Sequence, residues 1–271
     1  MTIKRDPVHF VGMFSSGAGS WAAAMRVASE HWLPGDRHTL LFSDVSMEDE
    51  DNYRFLHEAA AVVPNAELVI VKDGRDIWQV FKDDRFLGNT RLANCSKFLK
   101  QRPARAWLDA NCDPASTVVY VGIDWSEAQR VPAIEKAYLP FLAVAPLTEP
   151  PYLDKATILE ELVERGIKPP RLYDLGFAHA NCGGGCVRAG QGQFAHLLEV
   201  MPERYAWWEQ QEQELREHLG KDVAILRDRR GGTLTPLTLR AFRERHEAKP
   251  EQTDLFDIGG CGCFVDEGGA A

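Results

Sequence analysis

No stretch of this chain is apolar for anything near the ~20 residues that cross a bilayer, so membrane spans and a membrane partner are not expected. The charges at Lys4 and Arg5 are not followed by an apolar run, so the sequence does not predict a secretory leader. A basic excess is also missing: 31 Lys and Arg stand against 40 Asp and Glu, a net charge of −9. That weighs against a chain-wide electrostatic footprint for nucleic acid and leaves only a local basic patch open. Internal repeats and long low-complexity tracts are absent. Cysteines are few, six in 271 residues. Without an export signal they point to a reducing, cytoplasmic location and to metal or thiol chemistry rather than a disulfide framework.

What cysteine there is, is concentrated. Four of the six lie in two glycine-rich windows, Asn181-Cys182-Gly183-Gly184-Gly185-Cys186 and Gly259-Gly260-Cys261-Gly262-Cys263. Glycine lets a backbone turn tightly and approach a charged centre closely. Four thiolates suffice for tetrahedral zinc or a four-iron cluster, so Cys182, Cys186, Cys261 and Cys263 are the candidate metal ligands. Cys-x3-Cys followed by Cys-x-Cys is neither the common zinc-ribbon pair nor the ferredoxin run, and spacing leaves zinc and iron–sulfur both open. Of the other two, Cys95 sits among Lys97, Lys100, Arg102 and Arg105, which suits either a lowered-pKa thiol or a small buried side chain on a basic helix; Cys112 reads as structural.

The first half alternates strand and helix. Apolar runs at 9–14, 39–43, 67–71 and 117–122 read as strands; 21–28 and 53–63 read as helices. This predicts an α/β fold, a parallel twisted sheet with helices on both faces. Ligands of such sheets sit beyond the carboxyl ends of the strands. The loop Ser15-Ser16-Gly17-Ala18-Gly19-Ser20, Asp44, Asp73 and the Gly122–Asp124 segment would therefore border one crevice. Strand, small-residue loop, helix is the arrangement that aims N–H groups at a phosphate, and equally an ordinary turn capped by Ser20. Asp44 and Asp73 have turn chemistry as their other reading. Prolines from Pro146 to Pro170 mark a passage into a helical, cysteine-containing C-terminal region, giving a nucleotide-binding domain at 1–150 and a second region at 151–271. Helices are predicted at 155–166, around 194–201, at 206–219 and at 237–246, with Trp207 and Trp208 as core and a basic turn at Arg227–Gly232.

These residues together resemble a known group. Phe14 to Ser20 is similar to the SGGxDS loop of the PP-loop, or adenine-nucleotide alpha-hydrolase (HUP), superfamily. Asp44, the Cys95-Ser-Lys segment, Gly122-Ile123-Asp124 with Arg130, and the two late cysteine windows resemble the phosphoadenosine phosphosulfate (PAPS) reductase-like proteins of bacteria and phages. The resemblance runs from about residue 8 to 265. It implies a HUP-type sheet and an enzyme that adenylates a substrate with ATP and Mg2+, releasing pyrophosphate, in sulfur transfer or nucleic-acid modification with a [4Fe-4S] cluster or Zn2+. By the same resemblance, Ser15, Ser16, Gly17, Gly19 and Ser20 would hold the phosphates. Asp44, Gly122 and Asp124 would border the nucleotide and magnesium. Lys97, Lys100 and Arg130 would offset charge on the leaving group, and Cys95 would be a nucleophile or a ligand. Expected partners are an adenine nucleotide, a nucleic-acid or nucleotide acceptor and a sulfur-donor protein, with self-association compatible. Two departures stand out: Ser16 replaces the usual second glycine and Gly19 the aspartate. They keep two alternatives in view: a thiol-dependent reductase of a sulfonucleotide, and a non-catalytic nucleotide-binding module with structural zinc.

Overall fold

The computed structural model describes residues 6–89, 92–228 and 233–248. Five strands form one parallel sheet in the order β3-β2-β1-β4-β5: β1 His9–Met13, β2 Arg37–Asp44, β3 Glu67–Lys72, β4 Thr117–Val121 and β5 Leu142–Val144. β1 lies between β2 and β4 and is buried along its whole length, which is why its sequence reads as an unbroken apolar run rather than an alternation.

The two sheet faces follow the period of two that a strand imposes. Phe10, Leu40, Phe42 and Tyr120 point to one face and pack against α1 (Ala18–Arg26), α2 (Glu50–Ala61) and α6 (Lys155–Glu164) through Trp21, Phe55, Leu56 and Ile158. Val11, Met13, Leu41, Val119 and Val121 point to the other, against Ala104 and Leu108 of α4 (Arg102–Asn111) and Ile134 of α5 (Val131–Tyr138). The α/β expectation therefore holds, with helices covering both faces.

A third and largest core joins the two halves of the chain. Val45, Met47, and Trp78 and Phe81 of α3 (Ile77–Asp83) pack with Leu172 of α7 (Arg171–Asp174), Phe194 of α8 (Gln191–Val200), Tyr205 and Trp208 of α9 (Pro202–Leu219) and Phe242 of α10 (Leu239–Ala248). Trp208 stands edge-on to Trp78, Trp207 and Phe194, so the tryptophan pair is core, as predicted. Leu226–Asp228 (β6) and Thr235–Leu237 (β7) form a small antiparallel pair beside α10. Arg227 and Asp228 thus belong to a strand; the rest of the predicted basic turn lies outside the described residues.

In chain order β1, β2 and β3 step one way across the sheet and β4 and β5 the other, so the direction reverses between β1 and β4. Such a reversal opens a crevice at the carboxyl ends of the two strands. No helix among the described residues is long and apolar enough to cross a membrane.

Candidate nucleotide site

Two cavities open at that crevice and share Ser15 and Asn181 as a common wall. The first, roughly 820 Å³ of open space, is lined by Ser15, Gly17–Ser20, Gly122–Asp124, Glu127, Arg130, Lys155, Tyr173 and 178–181. The second, roughly 550 Å³, is more apolar: Met13, Phe14, Leu41, Phe42, Ala104 and Tyr138, with Ser43, Glu48, Lys100 and Gln101 as its polar members.

The loop after β1 is organised around one hydroxyl. Ser20 Oγ accepts from the N–H groups of Ser15 (3.2 Å) and Gly17 (3.4 Å) and donates to Gly17 O (2.8 Å). Ala18 N–H donates to Tyr173 Oη at 3.4 Å. These donors sit at the N-terminus of α1, and their bonds here are long, so an anion that accepts from them exchanges weak partners for strong ones. Ser16 is different. It is buried, takes a φ of 52°, and its hydroxyl accepts from Asn52 Nδ2 at 3.2 Å. Glycine is the usual residue at such a φ, so Ser16 holds the motif's turn at some strain and turns its side chain away from the cavity.

Arg130 lies in the wall of the first cavity with its side chain mostly covered. Nη1 bonds Glu127, and Nη2 is buried with no hydrogen-bond partner. A covered guanidinium nitrogen without an acceptor is costly, and an anion in the cavity relieves it. Lys155 reaches the same space. Its amine sits 4.0 Å over the Tyr173 ring and donates to Ala178 O, and burial lowers its pKa. Asp124 caps the 3-10 turn Trp125–Arg130 through Oδ1, which accepts from Ser126 N (2.8 Å) and Oγ (2.6 Å). In the second cavity, Gln101 Nε2 is likewise buried without a partner.

The other expected residues fall elsewhere. Asp44 ends β2 but lines neither cavity; it accepts from Tyr53 Oη (2.7 Å), Ser46 N (2.8 Å) and Lys72 Nζ (3.2 Å). Burial works to raise its pKa, and these three donors outweigh it and hold the carboxyl below its usual range. Asp73 is tied to Arg75 at the surface. Lys97 is exposed on the helical turn Ser96–Gln101 and is not in either wall, whereas Lys100 is. Cys95 precedes that turn, packs partly buried against the third core and lines neither cavity.

The thiols of Cys182 and Cys186 come within hydrogen-bond reach of each other, and the turn that carries them follows Asn181 of the second cavity's wall. Cys182, Gly183 and Gly184 take φ values of 52°, 62° and 84°, a left-handed turn that only a glycine-rich segment makes cheaply. The turn is pinned from outside. Cys182 N–H donates to Glu48 Oε2 at 2.8 Å, Asn52 Nδ2 donates to Ala180 O at 2.9 Å, and Arg204 Nη2 donates to Met47 O at 3.0 Å and Cys182 O at 3.5 Å. Asn52 thus bonds both the phosphate-type loop, at Ser16, and the cysteine turn, at Ala180. The Cys182 thiol's pKa is pushed well up, by its hydrogen bond with Cys186 and by burial, against the opposing pull of Lys100.

Two thiols are half of a four-ligand set. Among the described residues no three His, Cys, Asp or Glu side chains converge on one metal position. Cys261 and Cys263 lie outside the described residues. Sequence reasoning passed over Lys155, Tyr173, Gln101 and Arg204, whose roles come from long-range packing. Asp154 before Lys155 is a legible helix cap, bonding Thr157 N–H at 2.8 Å, and so marked where α6 begins.

No family model matches the sequence, and no curated protein is similar to it at a significant level. Some solved structures are similar to it at low identity and low TM-score. One is a phosphoadenylyl-sulfate (PAPS) reductase from Candida auris in complex with phosphate, at 17% identity, TM-score 0.41, 65% of this chain and 80% of that one. Another is the U34-tRNA thiolase NcsA from Methanococcus maripaludis with its [4Fe-4S] cluster, at 12% identity, TM-score 0.43, 97% of this chain and 81% of that one.

Proposed function

We propose that this chain is a PP-loop-type enzyme that binds ATP across the two cavities and adenylates an acceptor oxygen for replacement by sulfur. The observation that carries the reading is the pairing of the cavities around Ser15. One offers N–H donors and the unpartnered Arg130 Nη2, which suit phosphates. The other offers an apolar slot with the unpartnered Gln101 Nε2, which suits a base with ring acceptors.

In this reading the N–H groups of Ser15, Gly17 and Ala18 exchange their long bonds to Ser20 and Tyr173 for phosphate oxygens. Asp124, in the wall of the phosphate-side cavity, would hold Mg2+, an ion that offsets charge on phosphates. The acceptor oxygen attacks the α-phosphorus, the bond to the β-phosphoryl oxygen breaks, and pyrophosphate leaves with Arg130 and Lys155 balancing its charge. A sulfide-level donor then forms the carbon–sulfur bond as the carbon–oxygen bond to AMP breaks and AMP leaves. Cys182 and Cys186 would supply two ligands to an iron–sulfur or zinc centre, with Cys261 and Cys263 completing it. Such a centre, when bound, can hold or deliver sulfur.

The test is anaerobic purification followed by metal analysis, ATP titration by calorimetry and a pyrophosphate-release assay. Micromolar ATP binding with pyrophosphate release supports the proposal. A second reading, a nucleotide-binding module without turnover, is favoured by Gly19, which brings no carboxylate to the loop. It predicts ATP binding with no pyrophosphate released under any acceptor tried.

A further inference from the structure

Asn52, in the first turn of α2, is 1% exposed and stands between the two halves of the site. Its Nδ2 faces three oxygens: Ala180 O at 2.9 Å, Ser16 Oγ at 3.2 Å and Glu48 Oε2 at 3.4 Å. The first belongs to the residue that enters the cysteine turn, the second to the loop after β1, and the third to the carboxylate that holds the Cys182 N–H. An amide nitrogen has two hydrogens, so three acceptors compete for them. On the other side of the amide, Oδ1 is buried without a hydrogen-bond partner. Turning the amide over brings no relief, because it sets that oxygen against the Ala180 carbonyl and the Glu48 carboxylate, which only accept. A buried amide with too many acceptors at nitrogen and no donor at oxygen is costly for the fold alone.

Each side of this link carries a strained residue. Ser16 and Cys182 both take a φ of 52°, and a non-glycine residue stays there only while its surroundings hold it. Asn52 itself sits on a fixed base. The turn of α2 that carries it is tied down through Asp49 and Asp51, whose carboxylates accept from Arg171 Nη2 at 2.8 Å and from the Arg171 N–H at 2.7 Å. A shift of Ser16 is therefore passed on through the shared hydrogens and not absorbed by the helix. Ser16 lies in sequence between Ser15 and Gly17, whose N–H groups make the long bonds to Ser20 that a phosphate would replace.

We propose that Asn52 is a positioning residue that couples occupancy of the phosphate-side cavity to closure of the Cys182–Cys186 turn. An anion on the loop fixes Ser16, and Ser16 fixes the Asn52 amide. The amide then holds Ala180 directly and the Cys182 N–H by way of Glu48. The coupling is reciprocal: whatever fixes the turn tightens binding on the phosphate side by the same factor. This deepens the adenylating reading and rests on it only for the identity of the anion, since the link itself is made of protein groups. In that reaction the cysteine turn is ordered while the nucleotide is in place and loosens once pyrophosphate and AMP have left.

The experiment is hydrogen exchange read by mass spectrometry on the full chain, prepared anaerobically, with and without ATP, beside ATP calorimetry on the same samples. In the wild type, saturating ATP slows exchange at 181–186 by about tenfold, a coupling of ordinary size. Ser16→Ala removes the hydroxyl at the loop end of the link, and Asn52→Leu removes the amide at its centre. Without ligand, each raises exchange at 181–186 by about threefold, the size expected of one lost hydrogen bond. With ATP, neither variant recovers the slowing. The double variant goes no further than Asn52→Leu, because the two changes act through one link. Exchange in β1 and α10 stays at wild-type values, which separates a broken link from a loosened fold. Unchanged exchange at 181–186 in ligand-free Ser16→Ala, ATP binding by the wild type without slower exchange there, or full slowing by ATP in Asn52→Leu overturns the proposal. Ser16→Ala, a change of one hydroxyl, decides the point even where Asn52→Leu fails to fold. Failure of the wild type to bind ATP removes the adenylating reading, and the ligand-free comparison still decides the link.

Discussion

Gly19 and Gly122 meet backbone to backbone: a Cβ on Gly19 would stand 2.8 Å from the carbonyl oxygen of Gly122, and one on Gly122 would stand 2.5 Å from Ser20 Cα. The first turn of α1 and the segment after β4 cross here without side chains, and this crossing forms the floor of the phosphate-side cavity. Gly19 is the position where the resembled motif carries aspartate. In this backbone a side chain there drives the two elements apart, so the motif's carboxylate cannot simply be restored. Gly19→Asp is expected to weaken ATP binding about tenfold or more and to cost about 1–3 kcal/mol of stability through overpacking. Calorimetry and thermal melting check both. Tighter ATP binding in the variant would show that the crossing yields.

Glu48 ties the cysteine turn to the second cavity. Its side chain is 2% exposed, accepts the Cys182 N–H and faces Lys100 Nζ at 3.9 Å. Removing it takes the acceptor from the Cys182 N–H and a counter-charge from the Lys100 amine. Glu48→Ala is expected to lower metal affinity about tenfold, the size typical of contacts that orient ligands. Glu48→Gln keeps an acceptor for Cys182 and should retain most of the metal, which plasma emission analysis of anaerobic samples measures. Equal loss in both variants would mean that the charge toward Lys100, not the pin on the turn, matters.

The sheet was legible because its strands are buried on both faces and read as short apolar runs: β1 to β4 fall within a few residues of expectation. β5 was not, since Leu142–Val144 is three residues long and its Leu142 is exposed at the sheet edge. α3 went unread although Asp76 and Gln79 cap each other reciprocally, a signal visible in the sequence. Ser15, Gly17, Gly19, Ser20 and the Gly122–Asp124 segment line one cavity, a placement readable in the sequence because local backbone geometry sets it, whereas Ser16 turns away. The placement of Asp44 was not, because the contacts that engage it come from Tyr53 and Lys72 on neighbouring elements. Nothing in local spacing reports such contacts.

Glu212 gives a pH signature. It is buried in α9, and its two oxygens accept the N–H groups of Ile225 (2.8 Å) and Leu239 (2.7 Å). Burial pushes its pKa up to about 7 from 4.5, and the two donors offset only part of that. A carboxyl whose folded pKa is raised favours the fold while protonated. Its contribution is present in full below about pH 4.5 and is lost as pH rises through 7. Glu212→Gln removes this titration. The variant should therefore gain on the wild type between pH 4.5 and 7.5, by an amount on the order of 3 kcal/mol. Chemical denaturation of both proteins across that range measures it. A constant difference would mean that the donors hold the carboxylate ionised.

Arg26 carries the heaviest single load in the frame around the site. One guanidinium satisfies three carbonyls, those of Pro146, Glu149 and Pro151, from the end of α1. A fork of fixed donors can do this, and a lysine amine at the end of a flexible stem cannot match the geometry. Arg26→Met keeps the apolar stem but leaves the carbonyls to water, with an expected loss of about 2–4 kcal/mol. Hydrogen exchange at 148–153 should rise in the variant before exchange in β1 does, because the segment loosens while the sheet holds. Arg26→Lys should land between the two. If Arg26→Met melts the sheet and the 148–153 segment together, the clamp is part of the core rather than a support for the rim.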